Sequence, residues 1–220
     1  MTLHSAERAI AYVDGFNLYF GLRDSGYRRY YWLNIAVLAQ RLLRPGQQLK
    51  VTKYFTAQIS GPRKDDDSRF AQDLEAKRRR QTVFLEALGT LPHFDIYYGH
   101  FLGEVVKCKS CGRTWADHEE KMTDVNIATE MLTDAFEDKF DTALLISADS
   151  DLVPALKALK RLFPRKRVIV FFPPSRFSAQ LKNTADKQLT VGRGTLAKSQ
   201  FPDKVTKPDG YVLERPSEWR

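Results

Sequence analysis

Short β-branched or aromatic runs alternate along the chain with longer stretches of helical period. Ala9–Val13 (AIAYV) reads as a first strand that stops at Asp14-Gly15. Leu49–Ile59 alternates as a half-buried strand does, and Gly61-Pro62 closes it. Phe94–Phe101, Asp141–Ser147 and Arg167–Phe172 complete the strands, and Ala143–Ile146 within the second is apolar without alternation, as in a strand covered on both faces. Between them, Asn34–Leu43 reads as a helix capped by Asn34 and stopped ahead of Pro45-Gly46. Arg69–Leu88 is a long helix with Phe70, Leu74, Val83, Phe84 and Leu88 as its core positions. Thr123–Phe136 places Val125, Ala128, Leu132 and Ala135 at helical spacing, and Met131, Phe136 and Phe140 also read as core. Asp151–Phe163 and Ser178–Ala185 are the remaining helices.

Strands separated by helices predict an α/β domain whose mostly parallel sheet is covered on both faces. No repeat or flexible linker divides it. Gly103–Glu120 breaks the rhythm and reads as an inserted finger, and the proline-bearing tail 198–220 reads as a surface wrap on a domain spanning 1–197.

Charge changes the picture from fold to partner. Lys and Arg number 35 against 27 Asp and Glu, a formal net charge of +8, so a charged partner is expected to be anionic: nucleic acid, a phosphorylated metabolite or an acidic lipid surface. With 43% hydrophobic residues over 220 positions, wholesale disorder is excluded and a core needs no staples. Two cysteines exclude a disulfide-dense scaffold. No apolar run approaches the ~20 residues that cross a bilayer, and Asp14 interrupts the short apolar run near the N-terminus, so a cytoplasmic protein without a membrane partner is expected.

Three segments put carboxylates where a strand ends or a helix begins: Val13-Asp14-Gly15-Phe16-Asn17, Lys121-Met122-Thr123-Asp124-Val125 and Ser147-Ala148-Asp149-Ser150-Asp151. Ligands of open α/β sheets bind outside the carboxyl ends of the strands. Asp14, Asp124, Asp149 and Asp151 are therefore expected to converge. Taken singly, each is equally an ordinary cap or turn residue. Converging carboxylates repel one another, and a hard divalent cation such as Mg²⁺ or Mn²⁺ relieves that repulsion. Such an ion activates water and stabilises charge developing on a phosphodiester. Asn17 adds an amide to orient a ligand or water. Ser147 supports an aspartate or faces the substrate, and Lys121 stands close by. No histidine lies in these motifs to act as a base.

Cys108-Lys-Ser-Cys111 is a single CxxC knuckle. Structural zinc takes four ligands, so His100 and His118 are the candidates to complete a Cys₂His₂ set, the alternative being two free thiols. Basic residues gather in two blocks: Lys77, Arg78, Arg79 and Arg80, and the run Lys157, Lys160, Arg161, Arg165, Lys166 and Arg167. Together they suit a phosphate backbone; singly, each is a solvated face. Arg28-Arg29-Tyr30-Tyr31-Trp32 interleaves cations with rings, as a base-stacking surface or a packed loop does.

Asp14-Gly-Phe-Asn17, Glu119-Glu-Lys-Met-Thr-Asp-Val125, Ser147-Ala-Asp-Ser-Asp151 and the segment Pro173-Pro174-Ser-Arg176-Phe-Ser-Ala-Gln-Leu-Lys182 together resemble the NYN domain family of the PIN-like nuclease superfamily, with its LabA-type proteins. The resemblance runs from about Ile10 to Val191. It implies a Rossmann-like three-layer α/β/α fold and metal-dependent endoribonuclease chemistry on RNA. Asp14, Asp124, Asp149 and Asp151 would be the metal-binding aspartates, with Asn17 beside them and Arg176 among the substrate-binding residues. Ala148 and Met122 depart from the family, standing where glycine is common. The alternative function is a non-catalytic RNA-binding or scaffold module that retains the acidic pocket; a small-metabolite phosphatase is a third. A homodimer or a recruiting protein partner is compatible with either of the first two.

Overall fold

A computed structural model describes residues 6–61, 68–107, 111, 112 and 114–220, with residue 70 and the strands over 101–107 and 114–120 described by their backbone. The sheet is built outward from β1 (Glu7–Asp14), which pairs in parallel with β2 (Gln47–Ala57) on one side and β5 (Thr142–Ile146) on the other. β3 (Phe94–Lys107) extends it beyond β2; β6 (Arg167–Phe172) and β7 (Lys187–Thr190) extend it beyond β5, all parallel. β4 (Thr114–Lys121) alone runs antiparallel, against β3, and the strand order is β4-β3-β2-β1-β5-β6-β7.

The pleat of β1 divides the core. Ala11 and Val13 face a cluster with Leu18 and Leu22 of α1 (Gly15–Asp24), Ile35 and Leu38 of α2 (Ile35–Leu42), and Leu85 and Leu88 of α3 (Ser68–Leu88). Ile10 and Tyr12 face the other cluster, with Ile127 and Met131 of α4 (Thr123–Phe136), Leu156 and Leu159 of α5 (Val153–Leu162), and Leu181 of α6 (Ala179–Thr184). Helices on both faces of a parallel sheet make three α/β/α layers.

Several boundaries differ from the periodicity reading. Gly15 does not begin a turn; Asp14 caps α1 directly. The segment 103–120 is largely a β-hairpin arm, because β3 runs on to Lys107 and pairs with β4 back to Lys121. On α4 the buried stripe is Ile127, Met131 and Ala135, at i, i+4 and i+8. Val125 and Phe136, expected in the core, are 64% and 81% exposed, because the helix is rotated away from the stripe first read. Arg28–Tyr30 forms a 3₁₀ turn, and Trp32 and Tyr30 are buried, so this run is a packed loop.

The last residues complete the first cluster. α7 (Arg193–Ala197) leads to a hairpin of β8 (Lys204–Thr206) and β9 (Val212–Glu214) and a final 3₁₀ turn over Ser217–Trp219. Trp219 packs on Trp32, Phe84 and Tyr31, with ring centroids 6.3, 6.1 and 5.8 Å apart. The Trp32 indole N–H donates to the Pro202 carbonyl at 2.7 Å.

A polar network around Lys53 interrupts the apolar interior. Lys53 of β2 is 5% exposed, and its ammonium donates to Asp134 at 2.6 Å and to Glu130 at 2.7 Å, both on α4. Tyr12 and Tyr97 hydroxyls donate to the same two carboxylates. Burial lowers the Lys53 pKa, but the bonds to Asp134 and Glu130 outweigh it and hold the ammonium well above its ordinary value.

Candidate metal centre

The carboxyl ends of the parallel strands share one edge, and the three acidic segments meet there. Asp14 ends β1 and is 3% exposed. Its Oδ1 accepts from the Asn17 N–H at 2.9 Å, capping α1, and its Oδ2 accepts from the Ser147 hydroxyl at 2.8 Å. The Ser147 oxygen in turn accepts from the Asp149 N–H at 3.0 Å, and Asn17 Oδ1 accepts from the Ala148 N–H at 3.1 Å. These bonds tie the end of β1 to the chain that leaves β5. Gly15 makes the junction possible: a Cβ there would stand 2.6 Å from the Tyr54 ring and 2.7 Å from the Phe55 carbonyl. Burial, then the charge of Asp14, pushes the Tyr54 phenol up, so that it stays neutral against this backbone.

Asp149 caps the 3₁₀ turn over Ser150–Leu152 that opens α5, its Oδ1 accepting from the Asp151 N–H at 3.0 Å. Asp124 arrives from the opposite direction, in the first turn of α4. The chain passes from β4 into α4 through Met122 at φ 79°, in the left-handed region. This is where glycine is the low-strain choice, and a side chain there costs about 1–2 kcal/mol.

The result is a group of carboxylate oxygens from Asp124, Asp149 and Asp151 that all lie within 4.8 Å of one another. Asp14 stands outside that group, in the wall behind it, joined to Asp149 through Ser147. Among the described residues neither Asp149 nor Asp151 forms an ion pair. Three half-buried to exposed carboxylates with an all-oxygen donor set fit a hard divalent cation such as Mg²⁺ or Mn²⁺.

Some expected roles move. Ser147 is fully buried, so it positions two aspartates and does not face a substrate. Asn17 directs its side-chain oxygen to backbone. Lys121 closes β4 one residue before Met122 and stays at the acidic edge. Arg78 and Arg79 both pair with Glu75, and Arg80 pairs with Glu218, so three arginines face two carboxylates. The block from Lys160 to Arg167 is displaced from the site, while Lys157 lies about one turn into α5. α5 starts at the acidic edge and runs back, which puts Arg165, Lys166 and Arg167 at the far end, where β6 begins. There Lys160 pairs with Asp186 and Lys166 with Asp138.

Cys108 lies outside the described residues, and Cys111 is exposed at the tip of the arm. His100 pairs in register with Lys121, and His118 with Gly103, while the tip closes at Lys107 and Thr114. Lys107 lies seven residues along the strand from His100, about 23 Å at the usual rise. Zinc ligands lie about 2 Å from the ion, so His100 does not complete a site with Cys111. The periodicity reading also passed over the outer face of α1, where Phe16, Tyr19, Phe20 and Arg23 recur at i, i+3, i+4 and i+7, a signal present in the sequence.

The NYN domain profile matches residues 8–192. The chain is 24% identical, over an alignment covering 96% of it and 75% of the relative, to the 6-hydroxy-3-succinoylpyridine 3-monooxygenase HspA of Pseudomonas putida (strain DSM 28022 / S16). In fold it is similar to a crystal structure of a protein of unknown function from Vibrio parahaemolyticus RIMD 2210633, with a TM-score of 0.53 and 17% identity, covering 88% of this chain and 98% of that one. The family match spans the whole sheet, from β1 through β7, and brackets all three acidic segments: this chain belongs to the NYN domain family, with its PIN-like fold.

Proposed function

We propose that this protein is a divalent-cation-dependent endoribonuclease that hydrolyses RNA phosphodiesters at the acidic edge of the sheet. The observation that carries the reading is the group of Asp124, Asp149 and Asp151 oxygens within 4.8 Å, drawn from two separate segments at the carboxyl edge of a parallel sheet. These three carboxylates would hold Mg²⁺ or Mn²⁺. When bound, the ion supplies Lewis-acid stabilisation of the phosphodiester's charge and a nucleophile from water at neutral pH. The chain's own residues do the positioning. Asp14 and Ser147 fix the backbone of Asp149, Asp149 fixes that of Asp151, and the left-handed turn at Met122 aims the first turn of α4. Lys121 and Arg176 are the cations proposed to meet phosphates at this edge, with Arg78, Arg79 and Arg80 contributing from α3, where they pair with Glu75 and Glu218. No helix among the described residues is long and apolar enough to cross a membrane. A cytoplasmic setting and an RNA partner belong to this proposal.

The test is cleavage of end-labelled single-stranded RNA with Mg²⁺, with Mn²⁺ and with EDTA. Cleavage that requires the cation and is lost in Asp149→Asn supports the nuclease. Metal-independent binding without cleavage selects the non-catalytic RNA-binding module instead. The relative named as a monooxygenase shares only 24% identity, and turnover of a hydroxypyridine by this chain with no RNA cleavage would overturn the proposal.

A further inference from the structure

Helix α1 buries one face, with Gly15, Leu18, Gly21 and Leu22 turned to the core. Its outer face carries Phe16, Tyr19, Phe20 and Arg23. Phe16 and Phe20 lie stacked with centroids 6.4 Å apart, and Tyr19 meets Phe20 at 5.4 Å and Tyr31 at 5.1 Å. Two guanidinium groups cover the same ring: Arg23 lies 4.5 Å and Arg176 5.8 Å from the Phe20 centroid. Asp24 bridges both arginines, at 3.1 and 2.5 Å, and holds them beside the rings. Arg176 comes from the loop after β6, which approaches α1 closely because position 21 is glycine: a Cβ there would stand 2.7 Å from Pro173 and from the Pro174 carbonyl. Phe177, next in that loop, is 63% exposed, and Tyr19 is 44% exposed.

This strip starts beside the acidic edge, since Phe16 follows Asp14, the cap of α1, by two positions. From Phe16 to Arg23 it runs about 10 Å along the helix axis. That is room for about three bases stacked at the ordinary spacing of 3.4 Å.

We propose that the outer face of α1, with Tyr31 and the Arg176-Phe177 loop, is the track on which the unpaired bases of a single-stranded RNA stack as its backbone enters the acidic edge. Exposed Tyr19 and Phe177 offer ring faces to bases whatever the sequence, half-buried Phe16, Phe20 and Tyr31 back them, and guanidinium groups held among them add cation–π attraction and meet phosphates. A duplex cannot use the strip, because its base faces are covered by their neighbours. The strip rests on the nuclease reading for the direction of the strand, and its own measurement is made without cleavage so that the two fail separately.

The experiment is binding of a fluorescein-labelled oligouridine to the full chain carrying Asp149→Asn, in EDTA, against a duplex RNA of equal length. Tyr19→Ala and Phe20→Ala are each expected to weaken single-strand binding by about fivefold or more. Tyr19→Phe and Phe20→Trp are expected to stay within twofold of the parent. Arg176→Gln is expected to reduce the log–log salt slope by about 0.7, one phosphate contact. Melting curves confirm that each variant is folded, and the exposed Tyr19 carries the test if Phe20→Ala is not. Single-strand affinity unchanged within twofold in Tyr19→Ala overturns the strip, as does an equal loss on single strand and duplex. RNA cleavage by the wild-type chain together with unchanged affinity removes the strip alone. Aromatic-dependent binding with no cleavage under any divalent cation removes the nuclease reading and leaves the strip.

Discussion

Asp149→Asn should make the metal-free protein more stable. The Asp149 carboxylate lies within 4.8 Å of both Asp124 and Asp151 oxygens. Two unit charges at that distance repel by about 0.9 kcal/mol in water and about 3.5 kcal/mol at an effective dielectric of 20. The group is half-buried to exposed, which places each pair near the lower figure. Removing one charge abolishes two such pairs, so the relief is about 2 kcal/mol. The hydrogen bond from the Asp151 N–H survives, because an asparagine Oδ1 accepts it as the aspartate does. For a chain of this size, about 2 kcal/mol corresponds to a melting temperature higher by about 4–8 °C. Thermal unfolding by circular dichroism in EDTA at low ionic strength measures it, and 1 M salt should shrink the difference by screening. Adding Mg²⁺ should stabilise the wild type and do little for the variant. Asp14→Asn serves as the contrast. Asp14 lies outside the 4.8 Å group and accepts from Ser147 and Asn17, so its neutralisation relieves less repulsion and leaves the buried serine hydroxyl without its acceptor, a loss of about 1–3 kcal/mol. If Asp149→Asn melts at or below the wild type in EDTA, or Asp14→Asn gains as much as Asp149→Asn, the electrostatic account of the site is wrong.

Three further outcomes are expected. Lys53→Met should destabilise the fold by about 3–5 kcal/mol, since it takes the buried ammonium from fully buried Asp134 and leaves it the Tyr12 hydroxyl and Lys139 at 3.4 Å, and chemical denaturation measures it. The folded Lys53 pKa is raised, so this group's contribution is complete below its unfolded value of about 10.4 and is lost as pH rises beyond that toward the folded value; wild-type stability should fall in that alkaline range, and the fall should flatten in Lys53→Met. Trp219→Ala should lower stability by about 3–5 kcal/mol by emptying the contact with Trp32, Phe84 and Tyr31, and a melting temperature within 2 °C of wild type would show that the tail is not part of the core. Reversing Arg161 and Arg165 to Glu should leave RNA affinity within about twofold at physiological salt, because both lie toward the sheet end opposite the acidic edge; a tenfold loss would place RNA on that end.

The alternation of apolar runs with helical stretches was enough to identify a parallel α/β sheet, since a strand run apolar on consecutive positions, such as Ala143–Ile146, has to be covered on both faces. The acidic residues were equally legible, because strand ends followed by Asp are visible in one dimension, and parallel strands bring their ends to one edge. Distance was not legible. Asp14 looks like Asp149 in sequence, and both cap the helical turn that follows, yet Asp14 is buried against Ser147 while Asp149 joins the carboxylate group. The block from Lys157 to Arg167 looked adjacent to Asp151 because it follows closely in sequence, and α5 with the turn after it carries its later members to the opposite end of the sheet. Rotation about a helix axis was hidden too: Val125 and Phe136 match a helical period as well as Ile127 and Met131 do, and only the packing of α4 against β1 and β2 selects the buried stripe. Periodicity names the elements and strand order gathers their ends, while rotation, burial and reach depend on contacts between residues far apart in the chain.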